Sequence, residues 1–239
     1  MGSFHDSVVD TLAGWIVSAR FPAGAALPVE PAICAELGAS RTTVREALKT
    51  LAAKGLVRIG PRTGTRVRPA DDWSLLDPQV VEWRLKAPLT PALVNDLVEM
   101  RLLIEPSAAA LAAERAQGPD VARIREAFDA MERAVDGEGS YIEADLAFHE
   151  AILRAAGNQF LSQLAPVVGA VLRLSFKLSV TSLESARLSL PGHAAVLRAV
   201  AAAKPEEART HLTRIIEASK RDMAYVGQDA PLRRAMIGA

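Results

Sequence analysis

Ser40-Arg41-Thr42-Thr43-Val44-Arg45-Glu46-Ala47-Leu48-Lys49-Thr50-Leu51 is the stretch on which the fold turns. Ser40 is a good helix N-cap, and Gly38 just before it suits the end of a preceding helix. Val44, Ala47, Leu48 and Leu51 recur at helical spacing and predict a buried stripe. Arg41, Arg45 and Lys49 stand at i, i+4 and i+8, a basic stripe beside the apolar one. Arg41 and Thr42 occupy the first helical turn, where the backbone dipole disfavours a cation. A phosphate or a guanine edge gives such a cation a purpose, since Arg pairs bidentately with guanine.

Outward from this helix, Asp6 to Arg20 predicts an amphipathic helix with Val9, Leu12, Ala13, Ile16 and Val17 on one side. Phe21-Pro22-Ala23-Gly24 stops it, and a second helix runs from near Val29 to Gly38. Two short helices joined by a Gly-containing turn make a helix-turn-helix, with the third helix, to about Lys54, as its reading element. After Gly55, Leu56–Ile59 and Thr65–Arg68 alternate as two strands around Gly60-Pro61-Arg62-Thr63-Gly64. That hairpin is a basic wing, with Arg62 at its turn. The alternative is a solvated basic helix and an ordinary surface hairpin.

Charge supports the first reading. The 239 residues carry 28 Lys+Arg against 28 Asp+Glu, a sum that speaks against nucleic acid only if the charge is evenly spread. It is not. Residues 1–70 hold nine basic and five acidic side chains, a net of +4, and the remainder is −4. A basic module is therefore joined to an acidic one. One cysteine, Cys34, excludes an internal disulfide framework and a cysteine zinc cluster. The first ten residues show no basic segment leading into an apolar core, and Pro166, Arg173 and Lys177 interrupt the most apolar run, Leu161 to Val180. The expectation is a cytoplasmic protein without a membrane partner.

From Asp71 onward the periodicity is helical throughout. Candidate helices are Pro78–Lys86, Pro91–Arg115 (with a possible break at Pro106), Pro119–Val135, Ser140–Ala156, Gln159–Val180, Ser189–Ala203 and Pro205–Val226. The predicted fold is mostly α: an N-terminal winged helix-turn-helix over 1–70, a linker over 71–77, and an all-α antiparallel bundle over 78–239. Asp145 and His149 share a face at i and i+4, His193 opens the penultimate helix, and His211 lies on the last. One carboxylate and two imidazoles suit Zn, Ni, Mn or Fe. A helix-surface hydrogen bond and a structural histidine are the alternatives.

These residues also carry a resemblance. Leu27-Pro28-Val29-Glu30, Ser40 to Leu48, Gly55-Leu56-Val57 and Gly64-Thr65-Arg66-Val67 resemble the GntR family of bacterial transcription regulators. The resemblance implies a winged helix-turn-helix that binds palindromic operator DNA as a homodimer. Arg41 and Arg45 match DNA-contacting arginines, Thr43 a polar contact, and Gly64 the wing-tip glycine. With Thr42, Lys49 and Arg62 they form the candidate DNA-contacting set.

Asp145-Leu146-Ala147-Phe148-His149, Asn158, and His193 with Val196, Leu197, Ala199 and Val200 are similar to the FCD ligand-binding domain of the FadR subfamily. Val98, Arg101 and Glu105-Pro106 match an earlier motif of that domain. The likeness implies a divalent metal on Asp145, His149 and His193 beside a small carboxylate. The family's fourth ligand position falls at Ile215, so His211 stays outside and the metal keeps three protein ligands. Trp73 to Trp83, and the run from Val98 to Ala116, resemble members that control sugar-acid catabolism, which implies an aldonate-like effector. Arg101 could clamp its carboxylate, with Asn158, Ser189, Lys220 and Arg221 as further candidate contacts. An ion pair with Glu99 or Glu105 is the other use for Arg101.

The leading functional expectation is a metabolite-responsive repressor and not an enzyme. One alternative is a metal-free regulator answering another organic acid or acyl-CoA. The other is a metalloenzyme, for which Glu150 is the nearest acid-base group in sequence. It sits about 100° around the helix from His149.

Overall fold

The computed structural model describes residues 4–87, 90–178 and 183–236. The chain divides into two compact units, Met1–Leu89 and Thr90–Ala239.

The first unit is built from α1 (Phe4–Val17), α2 (Glu30–Leu37), α3 (Arg41–Ala53), β1 (Val57–Gly60), β2 (Gly64–Val67) and α4 (Pro78–Lys86). Gly38 ends α2 in the left-handed conformation (φ 61°), and the Ser40 hydroxyl accepts the Thr43 N–H at 3.1 Å to open α3. Val44, Ala47, Leu48 and Leu51 are all buried and share a core with Val8, Val9, Leu12 and Ile16 of α1. The α3 stripe is thus what fixes this helix on its scaffold. β1 and β2 pair antiparallel, with Val57 opposite Val67 and Arg58 opposite Arg66. Ala26 bridges to Arg66, so the chain before α2 braces the wing.

The expected boundary at residue 77 moves. Helix α4 packs on α1, and Val80 and Trp83 enter the first unit's core. The Trp83 indole N–H donates to Asp10 at 2.7 Å, and Lys54 Nζ lies 2.5 Å from Asp77, whose side chain also caps α4. The predicted linker is equally tied down. Ser74 N–H donates to the Lys54 carbonyl, and a Cβ on Gly55 (φ +81°) would come 2.4 Å from the Asp72 carbonyl oxygen. Apolar burial, legible on α4 as Val80, Val81 and Trp83, assigns it to the unit it packs against.

The second unit contains α5 (Pro91–Arg115), α6 (Gly118–Val135), α7 (Tyr141–Ala155), α8 (Gln159–Leu178), α9 (Leu183–Ala201) and α10 (Pro205–Met236). Helix α5 packs on α10 and α7, α6 on α7 and α9, and α9 on α10. The α5 stripe Ala108, Ala109, Ala112 and Ala113 is buried, and its small side chains let neighbouring helices come close. Phe148, Ile152 and Leu153 from α7, with Val196 and Val200 from α9 and Leu212 and Ile216 from α10, complete the core.

Two expectations change here. Helix α5 runs unbroken through buried Pro106, so the ring costs a single backbone hydrogen bond and not the helix. Helix α9 starts at Leu183, with Pro191 inside it, so His193 sits mid-helix and does not open one. Pro and Gly at 191 and 192 mimic a helix boundary in sequence; in the bundle, Ile215 packs against the Gly192 backbone instead. The predicted end of the α8 segment, Val180, lies outside the described residues.

Candidate functional site

The DNA-facing candidates gather on one unit. Arg41, Thr42, Arg45 and Lys49 are exposed along α3, and Thr43, half-buried, shares a hydrogen bond with the Ser40 hydroxyl. Arg45 pairs with Glu30 at 3.2 Å and Lys49 with Glu46 at 2.9 Å. Arg62 and Gly64 (φ +67°) are exposed at the wing turn. Sequence reasoning placed Arg58 and Arg66 in the basic wing but named neither as a contact; the hairpin register sets them directly opposite each other. Like charges so placed repel, a cost that an anionic partner would relieve. Among the described basic residues of this unit, Arg41, Arg58 and Arg62, with Arg84 and Lys86 at the end of α4, have no ion pair or side-chain hydrogen bond within the protein. A cation left unpaired in a helix's first turn is the pattern expected of a DNA-reading Arg41.

The second unit contains one polar interior. Arg101, Glu105, Asp145, His149 and His193 are the only buried charged or polar residues among those described, each at most 4% exposed. They arrive in pairs one helical turn apart: Arg101 and Glu105 on α5, Asp145 and His149 on α7, with His193 from α9. Asp145, His149 and His193 each bring a ligand atom within 4.8 Å of the others.

Both imidazoles are held from behind. His149 Nδ1 lies 2.5 Å from a Glu105 oxygen, and His193 Nδ1 lies 3.0 Å from the Ser189 carbonyl. Both Nε2 atoms are left without a hydrogen-bond partner, although His193 Nε2 is 3.0 Å from Asp145 Oδ1 and His149 Nε2 3.9 Å from Oδ2. The closer approach is short enough for a hydrogen bond but not aligned for one. Two lone pairs and a carboxylate facing one space, with each outer nitrogen anchored, is how proteins prepare histidines for a metal. The residues present therefore fit a divalent ion.

Charge leads to the same conclusion. Burial alone would raise the Glu105 carboxyl, but the Arg101 and His149 groups beside it hold it at about 2. Burial likewise opposes ionisation of Asp145, but the His193 and His149 imidazoles and the Arg101 guanidinium beside it overcome that, so its carboxyl sits below the usual range. With both imidazoles neutral, the form a metal ion requires, two carboxylates face one guanidinium and leave one negative charge uncompensated in a dry interior. A divalent cation would reverse that sign and admit an anionic ligand. Arg101 Nε is taken by Glu105 at 2.5 Å, but its Nη1 is buried and unpartnered, a donor still open to such a ligand.

The remaining effector candidates scatter. Ser189 borders the cluster: its hydroxyl hydrogen-bonds Tyr141 OH and donates to the Ala186 carbonyl at 2.9 Å. Burial, with the negative charge of Asp145, pushes the Tyr141 hydroxyl upward, so it stays protonated. Asn158 is engaged elsewhere, its side-chain oxygen accepting Phe160 N–H at 2.9 Å to open α8. Lys220 and Arg221 stand exposed on α10 and make no hydrogen bond or ion pair to the cluster. His211 is half-buried and outside the ligand group. Glu150 is exposed and paired with Arg154 at 2.8 Å, turned from the histidines as the helical angle requires. Sequence reasoning missed Tyr141 and the Glu105 bond to His149. The available signal was spacing: Tyr141, Asp145 and His149 recur at i, i+4 and i+8.

A winged-helix unit with unpaired arginines, followed by a helical unit with a buried polar cluster, fits a DNA-binding protein that carries a small-molecule sensor. Comparison with known proteins agrees. Residues 4–67 match the model of the bacterial regulatory proteins of the gntR family, and residues 96–218 match the FCD domain. The chain belongs to the GntR family of transcription regulators, in the branch with an FCD domain, and its matched domains and relatives are regulators rather than enzymes. It is 35% identical to the galactonate operon transcriptional repressor of Escherichia coli K12 over 72% of this chain and 75% of that one. It is 33% identical to the regulator YieP of the same organism, over 81% and 84%. The solved structure of Lar, which controls the Listeria monocytogenes agr system, shares the fold with a TM-score of 0.66 at 18% identity, covering 94% of this chain and 98% of that one. No helix among the described residues is long and apolar enough to cross a membrane.

Proposed function

We propose that this regulator is a repressor of sugar-acid catabolism whose effector is an aldonate. It acts in the cytoplasm as a homodimer on palindromic operator DNA, reading bases from α3 through Arg41 and Arg45 and steadying the complex through the wing. In the bundle, Asp145, His149 and His193 would hold a divalent ion, Zn, Ni, Mn or Fe, that supplies a Lewis-acid contact to an effector oxygen. Arg101 Nη1 would take the carboxylate. Ser189 and Tyr141 offer hydroxyls at the cluster's edge for a polyhydroxylated ligand. Asn158, Lys220 and Arg221 remain weaker candidates, because their surroundings give them other work or solvent.

The observation that carries this reading is a set of three buried, unpartnered nitrogens: His149 Nε2 and His193 Nε2, gathered with Asp145, and Arg101 Nη1, tied to His149 through Glu105. Each would cost stability if nothing bound there. The galactonate operon repressor is a relative over most of the chain, which favours an aldonate over an acyl-CoA. For a repressor, the effector must bind the DNA-incompetent state more tightly, since a ligand shifts an equilibrium only by its differential affinity.

Thermal-shift screening of aldonates, with and without EDTA, tests the proposal. The expected result is a rise of several degrees with one aldonate, abolished by EDTA and by Asp145→Ala. Stabilisation that survives EDTA would favour a metal-free organic-acid regulator, and no response to any sugar acid would overturn the effector assignment.

A further inference from the structure

We propose that Glu105 is the positioning residue of the sensor site, fixing His149 in one tautomer and aiming Arg101 with the same carboxylate. The proposal builds on the metal-and-carboxylate reading and adds what makes its two halves act together. Glu105 stands one turn after Arg101 on α5 and divides its oxygens. Oε1 accepts from Arg101 Nε at 2.5 Å, and Oε2 faces His149 Nδ1 at 2.5 Å. All three side chains are 1% exposed, so water cannot substitute for either bond.

An ionised carboxylate only accepts hydrogen bonds, so Nδ1 must carry the proton. In a neutral imidazole the lone pair then lies on Nε2, the atom left unpartnered toward Asp145 and His193. The bond from Oε1 removes rotational freedom from Arg101, leaving Nη1 as its open buried donor. His193 is set by a backbone carbonyl of its own helix, which no substitution of one side chain removes. His149 depends on a side chain from another helix. Loss of Glu105 would therefore release a metal ligand and the anion anchor together, and leave His193 as it is.

Histidine tautomers report this directly. Full-length protein with ¹⁵N-labelled histidine, stripped of metal and held near neutral pH, is read by long-range ¹H–¹⁵N correlation. Wild type is expected to show Nδ1–H at both His149 and His193. Glu105→Gln can present its amide N–H to Nδ1, so His149 should move toward Nε2–H while His193 stays unchanged, a selectivity that general disruption would not give. Zn or Ni affinity should fall about tenfold to hundredfold in Glu105→Gln, the usual consequence of losing an outer partner. Glu105→Asp, which keeps the acceptor, should restore the tautomer and most of the affinity.

An Nε2–H tautomer at His149 in wild type would overturn the proposal, as would a Gln variant whose His149 is unmoved. If Glu105→Gln fails to fold, the wild-type spectrum and the Asp variant decide the matter. A wild type with the expected tautomers that takes up no metal would sink the metal reading while the role of Glu105 stands.

Discussion

Arg41 and Arg58 are both exposed and unpaired, yet their positions assign them different work. Arg41 opens the reading helix, so Arg41→Ala should cost about 1–3 kcal/mol of operator affinity and relax preference at one base pair. Arg58 sits on the wing opposite Arg66, so Arg58→Ala should weaken all sequences alike and reduce the salt slope by about one. Salt titrations on specific and scrambled duplexes separate the two; equal losses on both duplexes for Arg41→Ala would remove it from base reading. Glu105 makes a prediction in pH. Its folded carboxyl lies at about 2 against an ordinary 4.5, so between those values the unfolded chain binds more protons. In metal-free protein, stability carried by Glu105 is complete above about 4.5 and falls as the pH drops toward 2. Urea midpoints should decline less steeply over that window in Glu105→Gln than in wild type, and parallel curves would count against it. At this scale spacing put Asp145 and His149 on one face, and the family resemblance added His193, which the structure brings to the same group. The Glu105–His149 bond was not legible, because it depends on how α5 packs on α7.

Helix α4 shows where periodicity informs and where it stops. Its bounds, Pro78–Lys86, follow from an Asp77 cap, a Pro at the first position and an apolar face. Which unit that face serves cannot be read from the pattern, since a stripe names no partner. Packing answers it: Trp83 is 2% exposed in the core of the DNA-binding unit and bonded to Asp10. Trp83→Ala should destabilise that unit by about 3–5 kcal/mol and leave the bundle's unfolding transition in place. Hydrogen exchange resolved by segment would show it, with lost protection in α1 and α3 and none lost in α7; loss confined to the bundle would contradict the assignment. His193 teaches the converse. Pro191-Gly192 looks like a helix start, but α9 continues through them because tertiary packing outweighs local propensity.

The molecule joins a basic reader to an acidic sensor, and the net charge of zero conceals both. Helical content and the family were legible because motifs and periodicity are linear properties of the sequence. What couples effector to DNA is not linear; it requires a ligand that distinguishes two states of the whole protein. The direct test is fluorescence anisotropy with a labelled duplex from upstream of the regulator's own gene, titrated at fixed moderate salt with galactonate and related aldonates. The account predicts sequence-specific binding that one aldonate releases, with release lost in Arg101→Met and after metal removal. Binding that no aldonate alters, or that is no stronger than to scrambled DNA, would contradict it.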